Sequence, residues 1–172
     1  MSATAEDEAV LDTSTLINFL AVRRLDLLQD HPQYRFVVTD HVRAEVTAHY
    51  PEQLAQLESA LAAGWIREIP VTTPEELELF AELNKPGRLG AGECSAIAVA
   101  VCRKRPLVMD DKAARARASA FNPPVNLLDT ETIMVALIRA GHLSVADADR
   151  IKSEWERDHR FKLKFGSFAD RA

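Results

Sequence analysis

The stretch AVLDTSTLINFLAV, residues 9–22, joins an apolar run of strand length to a segment with helical apolar spacing. Its first three residues predict a strand and Ser14–Val22 predicts a helix, so Asp12 stands where one passes into the other. An acid at such a position is either the N-cap of the helix or part of a site at the end of the strand. The rest of the chain bears on this choice, because it repeats the pattern.

Strands and helices continue to alternate along the chain. Further strands are predicted at Arg35–Val38, Trp65–Val71, Pro106–Met109 and Val125–Leu128. Helices are predicted between them, at Arg23–Gln29, Asp40–His49, Pro51–Ala63, Glu93–Arg103 and Lys112–Phe121, and from about Thr73, Asp129 and Ser144. Alternation of this kind requires crossover connections. We therefore expect an α/β fold, a three-layer sandwich with a mainly parallel central sheet.

The composition is typical of a globular protein. The 172 residues are 47% hydrophobic and 27% charged, with a formal net charge of -5. We expect one domain over residues 1–172, with a flexible leader at about 1–8 and C-terminal helices and a tail at about 129–172. The longest apolar run, Ala96–Cys102, is far shorter than the roughly 20 residues that cross a bilayer, and the N-terminus lacks the features of a secretory signal. These features predict a cytoplasmic protein without a membrane span.

Five acidic residues lie at or near the ends of predicted strands. Asp12 follows the first strand and the pair Asp110 and Asp111 follows the fourth. Glu45 lies one turn into the helix after the second strand, and Glu93 lies in the first turn of the helix after the glycine loop. In a parallel sheet these positions meet at one edge. Carboxylates packed together repel one another and lose hydration, so they need a cation or must take up protons. Oxygen ligands alone suit a hard ion such as Mg²⁺ or Mn²⁺.

Each acid also has an ordinary structural explanation. Asp12 can cap the following helix, Glu93 can favour a helix dipole from the first turn, Glu45 can be an exposed helix residue, and Asp110 with Asp111 can form a turn and a cap. The shared location favours a site, because the chain also uses simple helix caps where no group of acids follows.

Four segments in this order resemble the PIN-domain nucleases, specifically their VapC-like toxin branch. The segments are Leu11–Ile17 (LDTSTLI), Val42–Val46 (VRAEV), Gly92–Ala98 (GECSAIA) and Val108–Arg115 (VMDDKAAR). The resemblance implies a PIN-like fold and a Mg²⁺- or Mn²⁺-dependent endoribonuclease that cleaves RNA phosphodiesters. It also implies the toxin of a toxin–antitoxin pair, inhibited by an antitoxin protein, with a homodimer as a further possibility.

By position, the resemblance assigns the acidic catalytic site to Asp12, Glu45, Glu93, Asp110 and Asp111. Asp12, Glu93 and Asp110 or Asp111 are the candidate metal ligands, and the choice within the aspartate pair stays open. Glu45 could bind metal or orient the attacking water. A divalent ion offsets the charge of the phosphodiester and lowers the pKa of a bound water.

An RNA substrate needs a positive path to this negative cluster. Residues 103–117 hold six basic side chains against two aspartates, a net charge of +4. Lys112 and Arg115, on the helix after the aspartate pair, are candidates for contacts with the RNA backbone, although solvated surface is the commoner role of such residues. Ser14, at a helix N-terminus, could bind a phosphate oxygen or act in capping.

The tail His159–Phe165 alternates basic and apolar residues. This pattern fits aromatic side chains that stack on bases, or a strand that buries Phe161, Leu163 and Phe165. The strand is the favoured interpretation.

A zinc site is suggested by His41, Glu45 and His49, which share one helical face. The outer two lie about 12 Å apart along the axis, so they cannot share one ion, and a single His/Glu pair provides too few ligands for structural zinc. The histidines could instead border the carboxylate site.

Three other classes of protein use comparable acids or a comparable scaffold. A haloacid-dehalogenase-like phosphatase needs a second aspartate two positions after its nucleophile, where this chain has Ser14. A receiver-like domain has its adjacent acid pair early, whereas here the pair comes late and Asp12 stands alone. The main alternative is a non-catalytic PIN-like module that binds RNA or a protein, which an incomplete set of acids would favour.

Overall fold

A five-stranded parallel sheet runs through the computed structural model, which describes residues 7–172. The strands are β1 (Glu8–Leu11), β2 (Arg35–Thr39), β3 (Ile66–Ile69), β4 (Leu107–Val108) and β5 (Leu127–Leu128). Their order is β3-β2-β1-β4-β5, and each neighbouring pair is parallel. The predicted α/β fold with a parallel central sheet is confirmed.

The helices cover both faces of this sheet. They are α1 (Thr13–Ala21), α2 (Asp26–Gln29), α3 (Asp40–His49), α4 (Pro51–Ala63), α5 (Pro74–Asn84), α6 (Ala91–Arg103), α7 (Lys112–Ser119), α8 (Thr130–Arg139) and α9 (Val145–Asp158), followed by a 3₁₀ turn at Phe168–Asp170. Sequence signals set several of their ends. Thr73 and Glu76 form the capping box that starts α5, and Gly64 ends α4 in the left-handed conformation.

The strands contribute side chains to two separate apolar clusters. Ala9 and Leu11 of β1 pack with α1–α4, α8 and α9, whereas Val10 packs with α5, α6 and α7. In β2, Phe36 and Val37 divide in the same way. Successive strand residues point to opposite faces, and both faces are covered here, which explains the unbroken apolar runs Ala9–Leu11 in β1 and Phe36–Val38 in β2.

The strand order reverses between β1 and β4. From β1 the chain proceeds outward through β2 to β3, and then returns to the other side of β1 to form β4 and β5. The Asp12 backbone N–H donates to the Val108 carbonyl across this junction, at 3.1 Å. Open α/β sheets bind ligands beyond the carboxyl ends of the strands at such a reversal. Asp12 and Asp110 both follow strands that end there.

Several predicted boundaries are wrong. The strand expected at Trp65–Val71 is only Ile66–Ile69, and the one expected at Val125–Leu128 is only Leu127–Leu128. Helix α3 has Thr39 as its N-cap, with the side chain accepting from the Val42 N–H at 3.1 Å, so Asp40 is the first helical residue instead of the cap.

The two ends of the chain also differ from expectation. Of the expected leader, residues 1–6 lie outside the described part, and Glu8 already belongs to β1 and forms ion pairs with Arg67 and Arg105. The tail 159–165 forms no strand, yet its three apolar side chains pack against the core around Trp155. Within residues 7–172, no helix is long and apolar enough to cross a membrane.

Candidate active site

Asp12 is fully buried at the junction of β1 and α1. Its Oδ1 accepts from the Thr15 N–H at 2.8 Å, so it is the N-cap of α1, and its Oδ2 accepts from the Ser14 hydroxyl at 2.7 Å. Burial raises the pKa of this carboxyl from 3.8 to about 7, the hydrogen bonds from Thr15 and Ser14 oppose the rise, and the charge of Asp110 adds to it. The capping role and the role of a perturbed buried acid therefore coexist in one residue.

Asp110 accepts four hydrogen bonds, all from neutral groups. Its Oδ1 accepts from the Thr130 N–H at 3.0 Å. Its Oδ2 accepts from the hydroxyls of Thr130 at 2.6 Å and Thr15 at 3.0 Å, and from the Asn18 amide at 3.2 Å. These donors come from α1 and from the start of α8, so the carboxylate is fixed between two helices beside Asp12.

Glu45 reaches from α3 across to α1 and α6. Its Oε2 accepts from the Thr13 hydroxyl at 2.6 Å and its Oε1 from the Gly92 N–H at 2.8 Å. A Cβ on Gly92 would lie 2.2 Å from Thr13 Oγ1 and 2.5 Å from Glu45 Oε2. Only glycine fits at this position, because any side chain would displace the carboxylate from the start of α6.

Glu93 and Asp111 complete the group at the starts of α6 and α7. Glu93 Oε2 accepts from the Gly90 N–H at 2.9 Å. Burial raises the pKa of Glu93, and the charges of Asp111 and Glu45 raise it further. Asp111 is exposed and caps α7 by accepting from the Ala114 N–H at 2.9 Å.

Three hydroxyl side chains organise these acids, and of these the sequence pointed only to Ser14. Thr13 donates to Glu45, Ser14 to Asp12 and Thr15 to Asp110. Asn18 and Thr130 also donate to Asp110 and were likewise missed. The run of three hydroxyl residues directly after Asp12 was a sequence signal that could have revealed the first group. No local sequence pattern marked Asn18 or Thr130.

Comparison with known proteins identifies the family. The sequence model of the family DUF3368, described as a PIN domain, matches residues 8–151. The chain belongs to this PIN-domain family. PIN domains are generally nucleases and typically use divalent metals.

Comparison with solved structures gives likenesses of fold at low sequence identity. The crystal structure of PAE2754 from Pyrobaculum aerophilum matches with a TM-score of 0.56 at 17% sequence identity. The matched region covers 81% of this chain and 94% of PAE2754. That likeness concerns the fold alone. The crystal structure of VapBC2 from Rickettsia felis bound to a DNA fragment from their promoter gives a TM-score of 0.46 at 17% identity, covering 71% of this chain and 96% of the other. No curated protein sequence matches the chain.

The acids of this PIN domain form a pair and a trio. Asp110 lies close enough to Asp12 for its charge to raise the pKa of Asp12, and Asp111 and Glu45 lie close enough to Glu93 to raise the pKa of Glu93. In residues 7–172 no three Asp, Glu, His or Cys side chains are arranged to hold a metal ion, so the helix with His41, Glu45 and His49 is no zinc site either.

The pair nevertheless fits the metal that the family uses. Mg²⁺ is commonly held by one or two carboxylates, with waters and substrate phosphate in its other positions. Asp12 and Asp110 offer oxygen ligands alone, and over the described part of the chain no Lys or Arg forms an ion pair with either of them.

The three residues predicted to bind substrate have different environments in the PIN domain. Ser14 is exposed and its hydroxyl points to Asp12. Lys112 is exposed at the start of α7. Arg115 donates to the carbonyls of Met109 at 2.7 Å and Leu128 at 2.8 Å, so its guanidinium joins the ends of β4 and β5 instead of facing solvent. Lys112 is therefore the better placed of the two cations for a ligand.

Proposed function

We propose that this PIN domain is a divalent-metal-dependent endoribonuclease that cleaves RNA phosphodiesters, and that it is the toxin of a toxin–antitoxin pair. One observation carries the proposal. Asp12 is fully buried beside Asp110 at the reversal of the sheet, with a pKa raised to about 7 and only neutral hydrogen-bond donors. A fold that maintains this costly arrangement without a basic partner suits a site that receives a cation.

Asp12 and Asp110 would hold the ion, which is Mg²⁺ or Mn²⁺ by the chemistry of its ligands. Such an ion, when bound, offsets the charge of the phosphodiester and acidifies a coordinated water. Thr15 serves this pair in two ways: its N–H holds Asp12 and its hydroxyl holds Asp110, so both carboxylates keep a fixed orientation. Asp111 lies on the exposed side, where it can face the substrate end of the site.

Glu93 is the group that we assign to proton transfer. Its Oε2 is held by the Gly90 N–H, whereas none of the described residues donates to Oε1. Its raised pKa makes the carboxylate a better proton acceptor near neutral pH. Oε1 can therefore take a proton from the attacking water.

Glu45 is assigned a positioning role. Both of its oxygens are occupied, one by the Thr13 hydroxyl and one by the Gly92 N–H. It therefore holds the start of α6, and with it Glu93, against the start of α1.

The test is cleavage of total RNA by the purified protein with EDTA, Mg²⁺ or Mn²⁺. We expect cleavage with either ion, none with EDTA, and none by the Asp12→Asn variant. Asp158→Asn, at the exposed end of α9, is the control and should cleave like the wild type. Cleavage in EDTA, or full activity of Asp12→Asn, would contradict the assignment.

The toxin role and its partners have their own tests. The proposal is supported by the four ordered segments that resemble VapC-like toxins. Induced expression in a bacterial cytoplasm should arrest growth, and Asp12→Asn should not. A co-expressed antitoxin protein should restore growth, and light scattering should give the mass of a homodimer. Normal growth with the active nuclease present would leave the nuclease assignment intact and contradict the toxin role.

A second candidate is a non-catalytic PIN-like module that binds RNA or a protein. It is favoured by one observation, that no three acids among residues 7–172 are arranged to hold a metal ion. This candidate predicts RNA binding that survives EDTA and no cleavage with any ion, so the cleavage assay separates the two.

A further inference from the structure

A groove runs along α7 beside the acidic site. One wall is the segment from the end of α5 to the start of α6, with Leu83, Pro86 and Leu89, and the other is α7, with Ala113 and Ala116. The groove encloses about 640 Å³. A second hollow of about 230 Å³ shares Leu83 and reaches Phe121 beyond the end of α7. The two hollows also share Arg117, and their floor is mainly apolar, with Glu82 in the lining of the second.

The two walls carry arginines that the protein itself does not use. Arg88 lies on the first wall and Arg117 on α7. Over the described residues, neither side chain has a hydrogen bond or an ion pair, and both are exposed. The other arginines of the basic segment 103–117 are engaged: Arg103 with Glu76, Arg105 with Glu8 and Arg115 with strand carbonyls. Lys104, Arg117 and Lys112 keep the free positive charge of this segment among the described residues, and of these Arg117 lines the groove.

The groove ends at the acids. Leu89 is followed by Gly90, whose N–H holds Glu93, and α7 begins directly after Asp111. A polyanion that reaches the acids needs cations along its path, because five carboxylates repel it. The volume suits one or two nucleotides of a single strand, since a double helix is far wider than a pocket of this size.

We propose that the groove between the α5–α6 segment and α7 holds a single RNA strand next to the cleavage site, with Arg88 and Arg117 binding backbone phosphates from opposite walls. The aliphatic floor contacts sugars and base faces, so the groove selects single-stranded RNA without reading its sequence. This inference rests on the proposed ribonuclease function and adds the path of its substrate.

The test compares R88Q/R117Q with R150Q/R157Q, which removes two exposed arginines from α9 instead. Affinity for a fluorescent single-stranded RNA is measured by anisotropy with Mg²⁺, each pair being placed in an Asp12→Asn background to prevent cleavage. We expect R88Q/R117Q to weaken binding about tenfold near 0.15 M salt. The slope of log K against log salt should fall by about 1.4, since each lost phosphate contact on a single strand contributes about 0.7. The control pair should change neither quantity.

Steady-state cleavage separates this proposal from the function on which it rests. With Asp12 restored, R88Q/R117Q should raise KM for single-stranded RNA and leave kcat unchanged. If R88Q/R117Q cleaves RNA with an unaltered KM and salt slope, the proposed role of the groove is overturned and the ribonuclease function stands. Absence of both RNA binding and cleavage in the wild type would overturn both proposals. If R88Q/R117Q keeps its affinity for RNA but loses affinity for a Glu- and Leu-rich peptide, the groove binds a protein partner and the proposed RNA path is overturned.

Discussion

Replacement of Asp12 by asparagine tests the cost of burying this carboxylate. Its pKa rises from 3.8 to about 7 in the folded protein, so the ionised carboxylate lowers the free energy of unfolding by about 4 kcal/mol. Between about pH 4 and pH 7 the folded state holds a proton that the unfolded state has lost. Stability therefore falls as the pH rises through this range, and above about pH 7 the whole cost is present.

Asparagine has the same shape and no charge, so it removes this cost. Its Oδ1 can still accept from the Thr15 N–H, but its amide nitrogen cannot accept from the Ser14 hydroxyl as Asp12 Oδ2 does. That loss is about 1 kcal/mol. In the absence of divalent ions, Asp12→Asn should therefore be about 3 kcal/mol more stable than the wild type at pH 8, and about 1 kcal/mol less stable at pH 4. At about 2–4 °C per kcal/mol for a chain of this size, Tm at pH 8 should rise by about 6–12 °C.

The measurement is urea and thermal unfolding followed by circular dichroism from pH 4 to pH 8.5 in EDTA. Asp158→Asn, which removes an exposed acid, is the control and should unfold like the wild type at pH 8. Addition of Mg²⁺ should raise the Tm of the wild type at pH 8 and leave Asp12→Asn unchanged, because only the ionised carboxylate gains from the ion. A difference between wild type and Asp12→Asn that does not vary with pH would refute the reasoning.

Three further predictions concern the surroundings of the site. Gly92→Ala should lower stability by about 1–3 kcal/mol and reduce cleavage, because a methyl group there collides with Thr13 and Glu45, which hold the start of α6. Gly166→Ala is the control: it has open space around it and should unfold in urea like the wild type. Arg115→Ala should lose about 1.5–3 kcal/mol of stability with its two carbonyl contacts, whereas exposed Lys112→Ala should keep its stability and raise the KM for RNA. The Tm increase that Mg²⁺ gives the wild type should shrink as the pH falls below about 7, because the ion must displace the proton on Asp12.

The sheet was accessible from the sequence because both of its faces are covered. Strands buried on both sides must be apolar throughout, so β1, β2, β4 and β5 contain short apolar runs that appeared at the correct place in the chain. The edge strand β3 is different, because Arg67 and Glu68 stand between its two buried isoleucines. The lengths of the strands were less accessible. Trp65 and Val71 are apolar and lie near the core, but the ladder with β2 extends only over Ile66–Ile69, and backbone pairing leaves no mark on residue type.

In the tail, residues 159–165, the sequence also predicted burial but not backbone pairing. Alternation of apolar and basic residues correctly predicted that Phe161, Leu163 and Phe165 turn towards the protein. It did not reveal whether a neighbouring strand edge was available. The edge strand β5 has only two residues, and within the described range the tail packs over Trp155 and Phe168 through side chains, without strand pairing.

For the site, spacing located the acids but not their partners. The strand-end rule brings Asp12 and Asp110 to adjacent strands, which the structure bears out. Arg115 was expected to face substrate because of its charge, yet its guanidinium donates to the carbonyls of Met109 and Leu128 at the ends of β4 and β5. Such competition between a ligand and the protein's own backbone depends on three-dimensional proximity. Whether the five acids act in catalysis stays a prediction until cleavage is measured.

The run Thr13-Ser14-Thr15 explains how acids from distant parts of the chain can be held together without a basic residue. These are the first three residues of α1, and successive residues of a helix point about 100° apart. Three adjacent hydroxyls therefore cannot serve one carboxylate; they spread outward to Glu45, Asp12 and Asp110. Neutral donors stabilise each carboxylate by hydrogen bonding but leave its charge uncancelled. A lysine at any of these three positions would neutralise an acid and compete with a divalent ion, so the hydroxyls retain the negative potential that metal binding requires.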